Sequence, residues 1–304
     1  MRDTLTDDVP TSIVRSSRHF DQGSGEPAHM KQTISPGTGE PNRAIYSLGA
    51  AVTRFRPAAR WLDEGERAAI ELVAPDVRGQ SILDIGVGGG RTVSLLTLLS
   101  SDYRAIDYSP TLVEACRNSF PNRDIEVGDA RDLSRFDDGA FALVVFAFGG
   151  LDSVSHNDRQ IVLREIHRVL APGGYFVYST LNRDGPHFDD RPWRGLRRTR
   201  FNVAALKQVA RWAAMYGSTM RDHVKGWVKW WPMRGDVEDH GSWAHGPLTG
   251  PGLGLVVHWA TLIGTAEEIE TAGLSLVALF DDQGRRLEPT DTTVTPMFHV
   301  VAQR

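Results

Sequence analysis

The spacing of hydrophobic residues divides the chain. Residues 1–40 show no period; they are polar, rich in Gly, Pro, Ser, Thr and charge, and read as a mobile tail. From 42 to 61, Ala44, Ile45, Leu48, Ala51, Val52 and Phe55 recur at helical spacing, and residues 67–73 predict a second helix that Pro75 ends. Residues 82–85 form a short apolar run broken only by Asp84, and 93–99 then read as a helix. Residues 103–107 and 124–127 predict two further strands. The helix 111–119 lies between them, with Ser109 as N-cap and Pro110 in its first turn. The almost continuous apolar run 141–148 suits a central strand buried on both faces. Residues 157–170 are amphipathic, Ala171-Pro172-Gly173-Gly174 stops that helix, and 175–180 is a fifth strand. Strands alternating with helices over this length predict an α/β fold.

Between the first strand and its helix stands Gly86-Val87-Gly88-Gly89-Gly90-Arg91, with four glycines in five positions. Strand, glycine turn and helix open a nucleotide-binding α/β unit, where the backbone must lie against a ligand and a Cβ would collide. A dinucleotide frame, G-x-G-x-x-G, would place a glycine where Arg91 stands. The pattern present is Asp84-x-Gly86-x-Gly88-x-Gly90. A carboxylate at the strand end repels phosphate and suits a cation, such as the ammonium of an amino-acid moiety. Asp107 lies 23 residues past Asp84, the distance that strand, helix and strand require to bring two acids to one sheet edge.

These stretches are joined by Ile106-Asp107-Tyr108-Ser109, Gly128-Asp129-Ala130 and the run Glu165-Ile166-His167-Arg168-Val169-Leu170-Ala171-Pro172-Gly173-Gly174. Together they resemble the class I S-adenosylmethionine (SAM)-dependent methyltransferases, without a gap over 81–182. The resemblance implies an α/β, Rossmann-like seven-stranded sheet, mostly parallel with an antiparallel last strand, plus a helical cap insertion. It implies SAM as cofactor, held by Asp84, Gly86, Gly88, Gly90, Asp107, Tyr108, Asp129, Ala130 and Phe146. In that scheme Asp107 accepts hydrogen bonds from the ribose hydroxyls and Tyr108 lies on the adenine face. Asp129 accepts from the adenine amino group, and the Ala130 N–H donates to the ring. Small-molecule members of the family often carry an Asn just after the fourth strand; Gly149 and Gly150 stand there in this chain.

The expected division is a tail at 1–40, helices at 41–78 covering the cofactor site, the SAM-binding core at 79–182, a Trp-rich helical substrate cap at 183–258, and the end of the core sheet at 259–304. Seven of the eight tryptophans lie in 193–259. They form the cap's own core or line an aromatic substrate pocket. Tyr46, Asp152, Asn182, Trp230 and Trp243 are the candidate substrate contacts. A phenol needs a general base, usually His, whereas a neutral amine needs only a way to lose its proton. His187, just after the fifth strand, and His245, in the cap, are the candidates, beside a structural role for each. The run Arg191, Arg194, Arg197, Arg198, Arg200 reads as a solvated face, an anion site or an RNA contact. Asp239, His240 and His245 match no common metal-site spacing, and no metal is expected.

Composition narrows the function. The chain has 304 residues, 41% hydrophobic and 24% charged, as in ordinary globular proteins. A net charge of −4 argues against a general nucleic-acid or anionic-membrane binder. Cys116 stands alone, so no intramolecular disulfide forms, which fits a reducing cytoplasm. The N-terminal residues lack the apolar core of a signal peptide, and no apolar run reaches membrane-spanning length. The expected activity is SAM-dependent methyl transfer to O or N of a small, aromatic or apolar metabolite by in-line displacement, with that methyl acceptor as partner; a homodimer is allowed. The alternatives are a methyltransferase acting on a peptide or RNA, and a non-catalytic SAM-binding regulator. Arg91 and Asp129 argue against a nicotinamide oxidoreductase.

Overall fold

The computed structural model describes residues 42, 63–188, 228, 237–248 and 255–304. The expected tail, the helical pattern of 42–61 apart from residue 42, Tyr46, Trp230 and the arginine run within 191–200 lie outside those residues.

Asp63 starts the first helix, α1 (Glu64–Val77), where its carboxylate accepts the Glu66 N–H at 2.7 Å. The helix runs two residues past Pro75 rather than ending there. The main sheet follows the expected order of elements. These are β1 (Ile82–Ile85), α2 (Val93–Leu99), β2 (Tyr103–Asp107), α3 (Pro110–Ser119), β3 (Asp124–Val127), β4 (Phe141–Phe146), α4 (His156–Val169) and β5 (Leu170–Leu181). A 3-10 turn, Leu151–Ser153, joins β4 to α4. The chain returns to the main sheet through α5 (Leu262–Thr271), β9 (Ser275–Asp281), β10 (Arg286–Leu287) and β11 (Met297–Gln303).

The strand order is β10-β9-β11-β5-β4-β1-β2-β3. β1 to β5 are mutually parallel, and β11 inserts antiparallel between β5 and β9, as the family pattern implies. The sheet has eight strands rather than seven because β9 turns back into the two-residue β10. Asp281 makes that turn by accepting the N–H groups of Gln283 and Arg285, with Gly284 at φ +77°.

Strand β4 feeds two cores. Val144 and Phe146 enter the core under α4 and α5, while Leu143 and Val145 enter the core under α1, α2 and α3. Alternation on a pleated strand sends successive side chains to opposite faces, so a strand covered on both faces must be apolar throughout. Each fully buried aliphatic side chain contributes about 1.5–3 kcal/mol.

Within the segment expected as a helical cap, 183–258, residue 228 is helical and the other described residues include a small sheet. β6 (Glu238–Asp239), β7 (Trp243–Pro247) and β8 (Val256–Ala260) form a small antiparallel sheet, and β8 runs across the expected boundary at 258. Its side chains alternate with period two. Ala244, Val257 and Trp259 pack with Leu181 and Leu255 on one face. Trp243, His245 and His258 fall on the other, since His245 pairs directly with His258. The small sheet joins the main one where Arg183 N–H donates to Ala260 O at 2.9 Å, beside a bridge between Asn182 and Ala260. Asn42 fixes its other end. The Asn42 amide donates to Val256 O (2.7 Å) and Ser153 O (2.9 Å) and accepts from Val256 N–H (3.1 Å), tying β8 to the turn after β4.

Candidate active site

The C-terminal ends of β1, β2, β3 and β4 meet at the glycine turn, where open α/β sheets bind ligands. Gly86, Gly88 and Gly90 have φ of +67°, +57° and +95°, the left-handed region where a Cβ is penalised. Space forbids a side chain as well. A Cβ on Gly86 would lie 2.7 Å from the Phe146 ring, and one on Gly90 would lie 2.5 Å from Phe120 and 2.9 Å from the Cys116 sulfur. A Cβ on Gly150 would lie 2.2 Å from the same Phe146 ring. Phe146 is therefore a wedge that sets the glycine turn against the loop after β4. In that loop Phe148 itself adopts φ +57°, a conformation uncommon outside glycine and frequent at functional sites.

Asp107 is the central polar group. One of its oxygens accepts the Gly88 N–H at 2.9 Å and the other the Ser109 N–H at 2.8 Å. Each oxygen keeps a lone pair for a further donor. The residue is only 4% exposed, and burial pushes its carboxyl up to about 6 against the pull of the two N–H groups. This buried acid, pinned by the glycine turn, suits a pair of vicinal hydroxyls. Tyr108 follows it, half-buried. Beyond β3, Asp129 is held by Arg131, whose guanidinium donates to both of its oxygens at 2.7–3.2 Å, while Ala130 packs half-buried against the core.

Asp84 is placed differently from the expectation. Its carboxylate is buried and accepts the hydroxyls of Thr92 (2.6 Å) and Tyr103 (2.8 Å). It ties β1 to β2 and to the start of α2 from beneath the turn, and burial pushes it up to about 6. The sequence placed it correctly at the strand end but could not show that two hydroxyls claim it.

Two of the proposed substrate contacts are also engaged internally. Asp152 is fully buried and accepts from Arg159 (2.8 Å), the Thr180 hydroxyl (2.6 Å) and the Leu181 N–H (2.8 Å). Asn182 is 1% exposed; it donates to Thr295 O and accepts from Asp184 N–H, stapling the end of β5 to the approach of β11. Neither turns a free group towards a ligand, because each satisfies the backbone of a neighbouring strand end. Trp243 is half-buried and lies between two imidazoles, His156 and His240, each with ring centres 4.0 Å away. Of the two catalytic candidates, His245 is 7% exposed in β7, and burial lowers its pKa. His187 is exposed on the turn after β5.

Sequence reasoning missed three features. Arg91 was weighed only as the residue that breaks the dinucleotide frame. Its buried guanidinium pairs with both oxygens of Glu66 (2.5 and 2.7 Å) and lies over the Phe148 ring, locking α1 to the glycine turn and to the β4 loop. Arg159 joins Asp152 to Glu268 of α5. His258, 1% exposed in β8, holds its Nε2 3.3 Å from Nδ1 of His156. Among the described residues, no group of three or more His, Cys, Asp or Glu is placed to hold a metal ion.

Comparison with known proteins agrees with this geometry. Residues 83–178 match the family model of a methyltransferase domain. Over 128 residues the chain is 34% identical to the probable phthiotriol/phenolphthiotriol dimycocerosates methyltransferase 2 of Mycobacterium ulcerans, covering 39% of this chain and 48% of that protein. It is 28% identical over 170 residues to the ubiquinone biosynthesis O-methyltransferase of Xanthomonas oryzae pv. oryzae, covering 51% and 67%. This chain thus spans about half the length of the first relative. The crystal structure of an S-adenosylmethionine-dependent methyltransferase from Mesorhizobium loti superposes with a TM-score of 0.50 at 18% identity, over 79% of this chain and 98% of that one, and shares its fold. Residues 83–178 thus match a methyltransferase domain, and they lie in a Rossmann-like sheet with an inserted antiparallel strand. Among the described residues no helix is long and apolar enough to cross a membrane.

Proposed function

We propose that the protein is a SAM-dependent methyltransferase acting on O or N of a small acceptor that presents an aromatic or apolar surface. The observation that carries this reading is Asp107: a buried carboxylate at the end of β2, held by the N–H groups of Gly88 and Ser109 and keeping a lone pair on each oxygen. That donor set fits ribose hydroxyls. Asp84 and Asp107 together disfavour a diphosphate at the same turn, and Arg91 is committed to Glu66. The glycine backbone leaves room for a ligand chain where a side chain would collide with Phe146 or Phe120. In this reading Asp129 and Ala130, beyond β3, meet the base, and Tyr108 lies beside the ribose.

When bound, SAM supplies a methyl group already activated on a sulfonium, which passes in line to the acceptor and leaves a thioether. The chain's own work is then alignment and exclusion of water, worth up to about 7–11 kcal/mol in favourable cases. Phe146, Phe148 and the Arg91–Glu66 pair fix the loop after β4, which flanks the transferred group. Trp243 offers an aromatic wall. His187 and His245 remain candidates for contact with the acceptor, and His245 has the better support because it shares a sheet face with Trp243 and His258. The two relatives are named as a phthiotriol/phenolphthiotriol dimycocerosates methyltransferase and a ubiquinone biosynthesis O-methyltransferase, which favours a small acceptor. The test is release of S-adenosylhomocysteine from methyl-labelled SAM across a panel of phenols, anilines and alkyl alcohols. Turnover of one small acceptor with none on RNA or peptide supports the reading; turnover on RNA or peptide alone refutes it.

A further inference from the structure

The polar face of the small sheet carries an arrangement that methyl transfer to an acidic hydroxyl would use. His258 is buried, its Nε2 lies 3.3 Å from Nδ1 of His156, and its own Nδ1 is buried with no hydrogen-bond partner. A buried imidazole nitrogen without a partner carries a desolvation cost of about 1–3 kcal/mol, and such groups in native proteins call for an explanation. His156 opens α4 at the ligand edge of the main sheet. Its ring is parallel to the Trp243 indole within 2°, at 4.0 Å between centres. His258 lies nearly parallel to both rings, 5.4 Å from Trp243 and 5.5 Å from His156. Two residues earlier in β8, Val256 is tied through Asn42 to Ser153 of the turn after β4. The imidazole pair therefore stands beside the loop that flanks the transferred methyl group.

Resting on the methyltransferase reading, we propose that His258 is the base that takes the proton from a phenolic hydroxyl acceptor, and that His156 relays that proton outward. The proton of the shared contact is placed on His258 Nε2, which leaves Nδ1 as a lone pair. As the acceptor oxygen bonds to the methyl carbon, the carbon–sulfur bond breaks and its electron pair stays on sulfur. The acceptor's proton moves to His258 Nδ1, the Nε2 proton passes to His156 Nδ1, and half-buried His156 releases a proton to solvent. A cation on His156 would be stabilised by the face of Trp243.

Burial lowers the pKa of His258, and Arg159, His156 and His245 add to that effect. For His156, burial and the charges of Arg159 and His240 lower the pKa against the pull of Glu268. Glu238 faces His245 from β6. The pair is consequently neutral at pH 7, with a lone pair on each imidazole.

The experiment compares wild type, His258→Gln and His156→Phe, the last keeping the stack on Trp243 without ring nitrogens. SAM affinity is measured by calorimetry, and methylation of phenol and of 4-nitrophenol by label transfer. The expected result is SAM affinity unchanged in both variants, with kcat/KM for phenol in His258→Gln down about 100–10,000-fold, the range of general-base catalysis. With 4-nitrophenol at pH 8.5, where it is largely ionised, the loss shrinks to less than about tenfold because there is no proton to remove. The acid limb of the wild-type pH profile lies below the ordinary His range and shifts in His156→Phe. Equal losses for both phenols, an unchanged rate for phenol, or a wild type that binds SAM but methylates neither phenol would each overturn the proposal and leave the broader reading standing. A wild type that does not bind SAM would overturn both.

Discussion

Replacing Asp107 with Asn tests the site at the smallest possible change in shape. In the wild type both oxygens accept backbone N–H groups, at 2.9 Å from Gly88 and 2.8 Å from Ser109. Asn offers one oxygen and one NH2, so one of those N–H groups meets a donor. A hydrogen bond to a charged partner contributes about 1.5–3 kcal/mol, and a buried donor left unpaired costs about 1–3 kcal/mol. The ribose loses an acceptor in the same step. With about 1.4 kcal/mol per factor of ten, SAM affinity should fall about 10–100-fold in Asp107→Asn. The pH dependence follows from the same group. Burial holds the free carboxyl at about 6, and ligand hydroxyls donate to the ionised form, so binding lowers that value. Wild-type affinity should be flat above about pH 7 and should weaken below about pH 6, by at most about tenfold per pH unit. The Asn variant should lack this dependence. Calorimetric titration from pH 5 to 8 measures both effects. An Asn variant with wild-type affinity, or wild-type affinity independent of pH, would refute the assignment of Asp107.

Three further outcomes follow from the packing. Arg159→Leu strands the carboxylates of Asp152 and Glu268 in the interior, and breaking such a buried pair from one side should cost about 3–5 kcal/mol in denaturant unfolding. Gly90→Ala forces a Cβ to within 2.5 Å of Phe120 at φ +95°, and should destabilise the fold by about 1–3 kcal/mol while weakening SAM binding. Acidification should separate His258→Gln from the wild type. The lowered pKa of His258 makes its contribution complete above the unfolded value of 6.5 and lost as pH falls below it, by up to about 1.4 kcal/mol per unit. Asp84 and Asp107, raised to about 6, act oppositely: their contribution is present below 3.8 and lost as pH rises through about 6. The difference in stability between the two proteins from pH 7 to 5 isolates the histidine and should shrink or reverse in favour of the variant. A constant difference would contradict the assignment.

What the sequence made legible is what depends on local period and on glycine. The strand–turn–helix units from β1 to β5 and the turn at Gly86–Gly90 could be read because each is set by residues close in the chain, whereas the antiparallel β11 followed from the family resemblance. Asp107 was readable from its distance to Asp84. The roles of Asp84, Asp152 and Asn182 were not, because partners such as Thr92, Tyr103, Thr180 and Thr295 lie 8 to 113 residues away and only folding brings them together. Residues 243–247 and 256–260 carry tryptophan, histidine, glycine and proline in runs of five, too short to declare a strand against a background rich in aromatics. His258 is one of several histidines in this part of the chain. Nothing in the linear order singled out its contact with His156, which spans 102 positions.

The central claim is that the glycine turn and Asp107 hold SAM. Its most direct test is calorimetric titration of the full chain with SAM, and separately with NAD, at pH 7.5. The account predicts saturable one-to-one binding of SAM and no heat from NAD. Saturable NAD binding, or no binding of SAM, would contradict it.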